Sequence, residues 1–167
     1  MNISARSLHD LTFPGRVQKQ LARLGVPSSG LSLELTEGAI MTDPDRAMSA
    51  LDSLNAMGVA LSIDDFGIGY SSMSYLKDLP VRELKIDRSF VIGMHESESD
   101  VVLVRSAVDL GHNLGLHVVA EGVEDASTQA ALTAMGCDLV QGFHVRRPAT
   151  AAELDEWLAA HATAHLV

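Results

Sequence analysis

Polar side chains suited to metal chemistry recur at the ends of apolar runs of strand length. In chain order they are Asn2, Glu34, Asp64, Asp65, Lys85, Asp87, Glu121 and Gln141. If these ends met, the carboxylates would repel one another, because two like charges ~4 Å apart cost several kcal/mol at intermediate dielectric. Hard cations such as Mg²⁺ or Mn²⁺ remove that repulsion, and they prefer carboxylate and amide oxygens as ligands. The set therefore predicts a divalent-metal site.

The adjacent pair Asp64-Asp65 suggests one carboxylate shared between two ions. Two metals ~3.5–4 Å apart clamp the attacking and leaving oxygens of an in-line phosphoryl displacement. Lys85 would add a fixed positive charge for the negative charge that builds up in the transition state. Any one of these residues alone could simply be a polar group where a strand meets solvent. The whole set favours hydrolysis of a phosphodiester.

The elements that must position these residues alternate between strands and helices. The predicted strands are Met1–Ala5, Leu31–Thr36, Val59–Phe66, Glu83–Asp87, His117–Glu121 and Leu139–Phe143. The predicted helices are Gly15–Leu24, Pro44–Met57, Ser72–Leu79, Asp100–Leu114, Ser127–Met135 and Ala151–Ala160, with Trp157 and Leu158 of the last helix in the core. Strict alternation implies a parallel sheet, either an open doubly wound sheet or a barrel.

The sidedness of the strands favours the barrel. Glu83, Lys85 and Asp87 share one face of their strand, whereas Leu84 and Ile86 share the other. A doubly wound sheet is covered by helices on both faces and would be apolar throughout. A complete (β/α)₈ barrel needs ~250 residues. We therefore predict an α/β fold of the incomplete TIM-type barrel class, with about six of eight units in a single truncated domain over residues 1–167.

The composition of the chain disfavours several classes of binding partner. The 22 acidic and 12 basic residues give a net charge of −10, which disfavours DNA, RNA polymers and anionic membranes. The single Cys137 cannot form an intramolecular disulfide, and no signal peptide or ~18-residue apolar span is visible. We expect a cytoplasmic protein without membrane contact in this chain. The exposed edges of Met1–Ala5 and Leu139–Phe143 predict self-association, as a homodimer or through the open barrel edges.

The order of the motifs resembles the EAL-domain family of bacterial phosphodiesterases, which open cyclic di-GMP to linear pGpG. The matching motifs are Glu34-Leu35-Thr36-Glu37, Asp64-Asp65-Phe66-Gly67, Lys85-Ile86-Asp87-Arg88-Ser89-Phe90, Glu121-Gly122-Val123-Glu124 and Gln141-Gly142-Phe143. The resemblance runs from Asn2 to about Trp157. It implies cyclic di-GMP as substrate, two Mg²⁺ or Mn²⁺ ions and a dimer.

The resemblance also implies roles for individual residues. Asn2, Glu34 and Asp64 would hold one metal, and Asp64, Asp65 and Glu121 the other. Lys85 would position and activate the attacking water, with Glu121 as general base. Asp87 and Gln141 would line the substrate site. The loop from Phe66 through Gly67 and Gly69 to Ser72 would be anchored by Glu37 and would couple the metal site to the dimer interface.

Two departures from the family pattern bear on activity. No Glu in this chain is followed by Ala, so the Glu-Ala-Leu motif and its metal ligand are absent. Ile68 stands where the family usually has Thr, and His144-Val145 where a Leu-Phe pair is common. We therefore expect impaired hydrolysis by this chain. The alternatives are a catalytically inactive cyclic di-GMP receptor, a protein-interaction module, or a structural fragment with no independent role.

Overall fold

The computed structural model of the chain describes residues 1–69 and 73–161, and these residues form a parallel sheet with helices packed on it. The strands are β1 (Ser32–Thr36), β2 (Ala60–Phe66), β3 (Glu83–Ile86), β4 (His117–Glu121) and β5 (Leu139–Gln141). The helices are α1 (Ala5–Leu8), α2 (Phe13–Leu24), α3 (Glu37–Met41), α4 (Pro44–Ala56), α5 (Met73–Leu76), α6 (Arg88–Gly93), α7 (Glu98–Asn113), α8 (Ala126–Ala134) and α9 (Ala151–His161), and a 3₁₀ turn covers Ser28–Gly30.

The strand order decides between the two parallel architectures. Neighbouring strands follow one another along the chain as β1-β2-β3-β4-β5, and every pair is parallel. A doubly wound sheet would reverse direction at a switch point. An order without reversal, with crossovers of one hand, keeps the helices on one face and leaves the other free. The sheet is therefore a segment of barrel wall.

The buried side chains lie on the face of the sheet that the helices cover. Leu33 and Leu35 of β1 are buried in the same core as Leu84 of β3, and helices α4 and α7 contact the strands. The residues that alternate with them, including Glu34 and Lys85, belong to the opposite face. The apolar face thus supplies the packing energy, and the polar face is available for a site.

The first predicted strand, Met1–Ala5, is wrong in extent. Asn2 forms only an isolated bridge to Glu34, in which the Glu34 N–H donates to the Met1 carbonyl (2.9 Å) and the Ile3 N–H donates to the Glu34 carbonyl (2.8 Å). The chain then leaves the sheet at Ser4, whose hydroxyl accepts from the Ser7 N–H and caps α1. Five strands and one bridge stand in the described residues, where six strands were expected.

The last predicted strand, Leu139–Phe143, ends early at Gln141. The chain turns at Gly142, where an added Cβ would lie on the Val123 backbone, so Phe143 has left the sheet. The predicted helix Ser72–Leu79 corresponds to α5, and Ser72 itself lies outside the described residues. Helices α1, α3 and α6 were not predicted.

The C-terminal helix α9 is more exposed than its pattern predicts. Leu158 is 47% exposed, so its assignment to the core is wrong. Trp157 is half-buried, and the Arg146 guanidinium lies over its ring, 5.5 Å from the centroid. Among the described helices, none is both long and apolar enough to span a bilayer.

Candidate metal centre

Lys85 of β3 lies on the polar face and pairs with carboxylates from three other strands, β1, β2 and β4. Its Nζ is 2.5 Å from Glu121 Oε1, 3.1 Å from Glu34 Oε1 and 3.8 Å from Asp64 Oδ1. The side chain is only 6% exposed. Burial lowers the pKa of the ammonium, but hydrogen bonds to Glu121 and Glu34 raise it more, so the net pKa lies above the usual value. Lys85 is therefore a fixed cation.

Asn2 joins this cluster from the edge of the sheet. One terminal atom of its amide is 3.1 Å from both Asp64 Oδ2 and Glu34 Oε2. If that atom is the nitrogen, it donates to both carboxylates. If it is the oxygen, three oxygens face one another, which is the arrangement that a divalent cation stabilises. The three ligands predicted for one metal thus converge, although the strand that was expected to carry Asn2 is a single bridge.

Asp64 and Asp65 occupy an irregular end of β2. Ile63 pairs with Leu84 and Phe66 with Ile86, so β2 has two residues between these pairs where β3 has one. Asp65 has φ 54°, the one positive φ outside glycine in the described residues. Such a bulge re-aims side chains next to functional sites. It explains how two consecutive strand residues, which normally point to opposite faces, can both approach the same site. This site lies at the carboxyl ends of the strands around Lys85 and is called the mouth below.

Asp87 borders Asp65. Its Oδ1 accepts hydrogen bonds from the Ser89 N–H (2.8 Å) and the Ser89 hydroxyl (2.5 Å), which makes it the N-cap of α6. Burial raises the pKa of Asp65, and the negative charges of Asp64 and Asp87 raise it further. The mouth therefore holds more negative charge than its own cation neutralises.

Gln141 lies in a second part of the mouth, beside Glu121. A cleft of about 160 Å³ is lined by Glu121, Gln141, Arg88, Glu124 and Phe143, among others. Arg88 was not predicted as a site residue, although the motif Lys85-Ile86-Asp87-Arg88 carries it. Arg88 is the one basic residue among the described residues that line this cleft, beside the acidic residues Glu121 and Glu124.

Glu37 contacts the loop that follows β2, as the resemblance implied. The Gly67 N–H donates to Glu37 Oε1 over 3.5 Å, a long hydrogen bond. Glu37 Oε2 lies against Gly69, where an added Cβ would be 2.7 Å away. The rest of the predicted anchor, residues 70–72, lies outside the described residues. The ring of Phe90 also packs against Gly67. Phe90 belongs to the motif that begins at Lys85 and was not predicted as a site residue.

Cys137 lies away from this mouth, as expected for a structural thiol. Burial raises its pKa to about 11, so it remains a neutral thiol near neutral pH. Its Sγ is within hydrogen-bonding distance of the Val118 and Leu139 carbonyls.

The oxygen ligands at the mouth are of the kind that bind divalent cations, although they are not arranged as a complete metal site. Within residues 1–69 and 73–161, no three His, Cys, Asp or Glu side chains are grouped closely enough to hold a metal by themselves. The converging set includes an amide and an ammonium instead. A cation bound by Glu34 and Asp64 would compete with Lys85 for the same carboxylates. The oxygens of Asn2, Glu34 and Asp64 nevertheless fit Mg²⁺ or Mn²⁺.

The family profile of the EAL domain matches residues 1–148. The chain belongs to the EAL-domain family. Its sequence is 44% identical over 154 residues to the bifunctional diguanylate cyclase/cyclic di-GMP phosphodiesterase MucR of Pseudomonas aeruginosa. That alignment covers 92% of the chain and 22% of MucR, so the EAL chain spans about a fifth of this relative's length.

Solved EAL structures agree with the fold. The PaMucR phosphodiesterase in complex with c-di-GMP superposes with a TM-score of 0.88 at 44% identity, covering 92% of this chain and 62% of that one. Klebsiella pneumoniae BlrP1 in a manganese/cy-diGMP complex gives a TM-score of 0.79 at 33% identity, covering 86% of this chain and 37% of that one. EAL domains have TIM-barrel-like folds, so the predicted fold class is confirmed.

Proposed function

We propose that this EAL chain acts in a divalent-metal-dependent phosphodiesterase that hydrolyses cyclic di-GMP to linear pGpG. The observation that carries the proposal is the convergence of Asn2, Glu34, Asp64 and Glu121 around Lys85. The chain is 44% identical to a relative whose name gives this activity, and it superposes on a neighbour solved in complex with c-di-GMP. One of those neighbours contains manganese.

Asn2, Glu34 and Asp64 would hold one Mg²⁺ or Mn²⁺. A second ion held by Asp64, Asp65 and Glu121 would require these three carboxylates to come closer together than the described structure places them. When bound, the metals would supply Lewis-acid stabilisation of the phosphoryl oxygens. The excess negative charge of the mouth supports this assignment, because it attracts cations and would otherwise repel a phosphodiester.

Lys85 and Glu121 would have different roles in the activation of the attacking water. The ammonium pKa of Lys85 is raised, so this side chain remains protonated and cannot accept a proton. Glu121, which lies 2.5 Å from it, would accept the proton as general base. Lys85 would orient that carboxylate and stabilise negative charge on the substrate. Asp87, which follows β3, and Gln141 of β5 would contact the substrate.

Product analysis tests the proposal. Cyclic di-GMP is incubated with the protein and Mn²⁺ or Mg²⁺, and pGpG is quantified by chromatography, with binding measured separately by calorimetry. Glu121→Gln should lower turnover ~10²–10⁴-fold while largely preserving binding, as expected for loss of a general base. The exposed Glu96→Gln is the matched control and should behave as wild type.

The outcomes separate the candidate functions. Binding without pGpG would support the catalytically inactive receptor. If the protein neither bound nor hydrolysed cyclic di-GMP, the proposed function would be contradicted. Equal losses of turnover and affinity in Glu121→Gln would make Glu121 a residue that positions substrate.

A further inference from the structure

The bulged end of β2 is held from two sides at Gly67. On one side the Glu37 carboxylate, at the start of α3, accepts from the Gly67 N–H. On the other side the Phe90 ring packs so closely that a Cβ at Gly67 would lie 2.9 Å from Phe90 Cε2. Gly67 has φ +101°, a conformation that glycine adopts readily and other residues do not. Phe90 and Glu37 thus enclose the residue two positions after Asp65.

Phe90 is itself fixed to the strand that carries Lys85. The Phe90 N–H donates to the Asp87 carbonyl (3.2 Å), and the Asp87 side chain caps the same turn of α6. Asp87 directly follows β3, which ends at Ile86. The ring therefore links the bulge of β2, with its two carboxylates, to the strand that presents the central ammonium.

The surroundings of Phe90 differ from those of an ordinary core aromatic residue. The ring is only partly buried and borders a cavity of about 410 Å³. That cavity is also lined by Phe66, Leu103, Ala107 and Leu110. Interiors are normally close-packed with few voids. Gly67 lines the same cavity, so the Phe90 ring touches Gly67 beside space that extends toward α7.

We infer that Phe90 is a positioning residue, whose ring holds Gly67 and thereby fixes the directions of the Asp64 and Asp65 carboxylates. The inference rests on the proposed function for its consequence, which is metal binding. Its structural content, the immobilisation of Gly67 and Asp65, can be measured without any metal. Residues that support metal ligands typically contribute 10–100-fold to metal affinity.

The test compares Phe90→Leu with Phe13→Leu, because Phe13 of α2 is also a half-buried phenylalanine that packs on the same core. Backbone ¹⁵N order parameters at Asp65 and Gly67 are measured in the metal-free chain, and Mn²⁺ affinity is measured by electron paramagnetic resonance. Phe90→Leu should lower the order parameters from ~0.85 toward ~0.6 and weaken Mn²⁺ binding about tenfold. Phe13→Leu should change neither. Phe90→Met, whose flexible unbranched side chain adapts to irregular space, provides the same comparison if the leucine variant does not fold.

Order parameters and Mn²⁺ affinity that change no more in the Phe90 variants than in Phe13→Leu would overturn the inference and make Phe90 a packing residue. Absence of Mn²⁺ binding by the wild-type chain is a different failure, because it would count against the proposed function. The order parameters would still decide whether Phe90 immobilises Gly67.

Discussion

The two ends of the sheet treat their charged residues in opposite ways. At the carboxyl ends of the strands, Lys85 is shared among three carboxylates, and burial together with like charges raises the pKa of Asp65. At the other end, Asp138 accepts from the Val118 N–H (2.8 Å) and pairs with His112 Nε2 (2.9 Å). Burial raises the pKa of Asp138, but these partners lower it more, so the net pKa lies below its usual range.

This difference indicates that the charges at one end of the sheet serve function, whereas those at the other end stabilise the fold. Asp138 joins α7, β4 and β5 through satisfied hydrogen bonds, so its charge supports the folded state. The cluster around Lys85 concentrates negative charge that folding alone does not need. In barrels the carboxyl end of the strands carries function, and the opposite end carries stability.

Removal of the central cation should have the largest effect. Lys85→Met leaves the carboxylates of Glu34, Asp64 and Glu121 together without a positive partner. We expect a loss of about 3 kcal/mol in the free energy of unfolding, since breaking a buried ion pair strands its partner charges. Urea denaturation followed by circular dichroism measures it, and Mn²⁺ should restore part of the loss.

The control for that experiment is Lys77→Met, which removes the same charge from an exposed position. Surface substitutions usually change stability by no more than ~0.5 kcal/mol. A Lys85→Met loss as small as that of Lys77→Met would mean that the carboxylates do not depend on the ammonium.

A smaller effect is expected from the loop that follows Asp65. Gly67→Ala forces a side chain into φ +101° and against the Phe90 ring, which should cost about 1–3 kcal/mol. Gly15→Ala, in helix α2 with open space around it, should instead stabilise by up to ~1 kcal/mol. Thermal melts of the two variants give the comparison. Similar melting temperatures would show that the loop adapts without strain.

Much of the sheet could be predicted because its signals are local. Strand β4 has the predicted bounds, His117–Glu121, since its apolar run is delimited by turn residues. The acidic strand ends were recognisable for the same reason, and parallel strands bring such ends to one edge. Confirmed elements of this kind depend on the residues within them.

The failures come from a local helix cap that competes with a strand pattern and from features set by tertiary structure. The strand predicted at Met1–Ala5 is a single bridge, because the Ser4 cap competes with the strand pattern. The bulge at Asp64-Asp65 depends on the register between β2 and β3, which no local pattern encodes. Leu158 was placed in the core by helical periodicity, but it is 47% exposed on α9.

At the opposite end of the sheet, Asp138→Asn should cost about 1 kcal/mol at neutral pH, because it weakens the interactions with Val118 and His112. The folded-state pKa of Asp138 is lowered, so its stabilising contribution is fully present above about pH 4. It declines as the pH falls through the folded-state pKa. The gap between wild type and variant should therefore narrow in acid, which unfolding measured between pH 7 and pH 2 can follow. A gap independent of pH would exclude the charge of Asp138 as its cause.

The most direct measurement is a Mn²⁺ titration of the wild-type chain, the double variant Asp64→Asn/Asp65→Asn, and Asp138→Asn, with thermal stabilisation as the signal. If the carboxyl ends of the strands form the metal centre, Mn²⁺ should stabilise wild type and Asp138→Asn alike and leave the double variant unchanged. The same Mn²⁺ response in all three proteins would contradict the account, because it would place the bound ion away from Asp64 and Asp65.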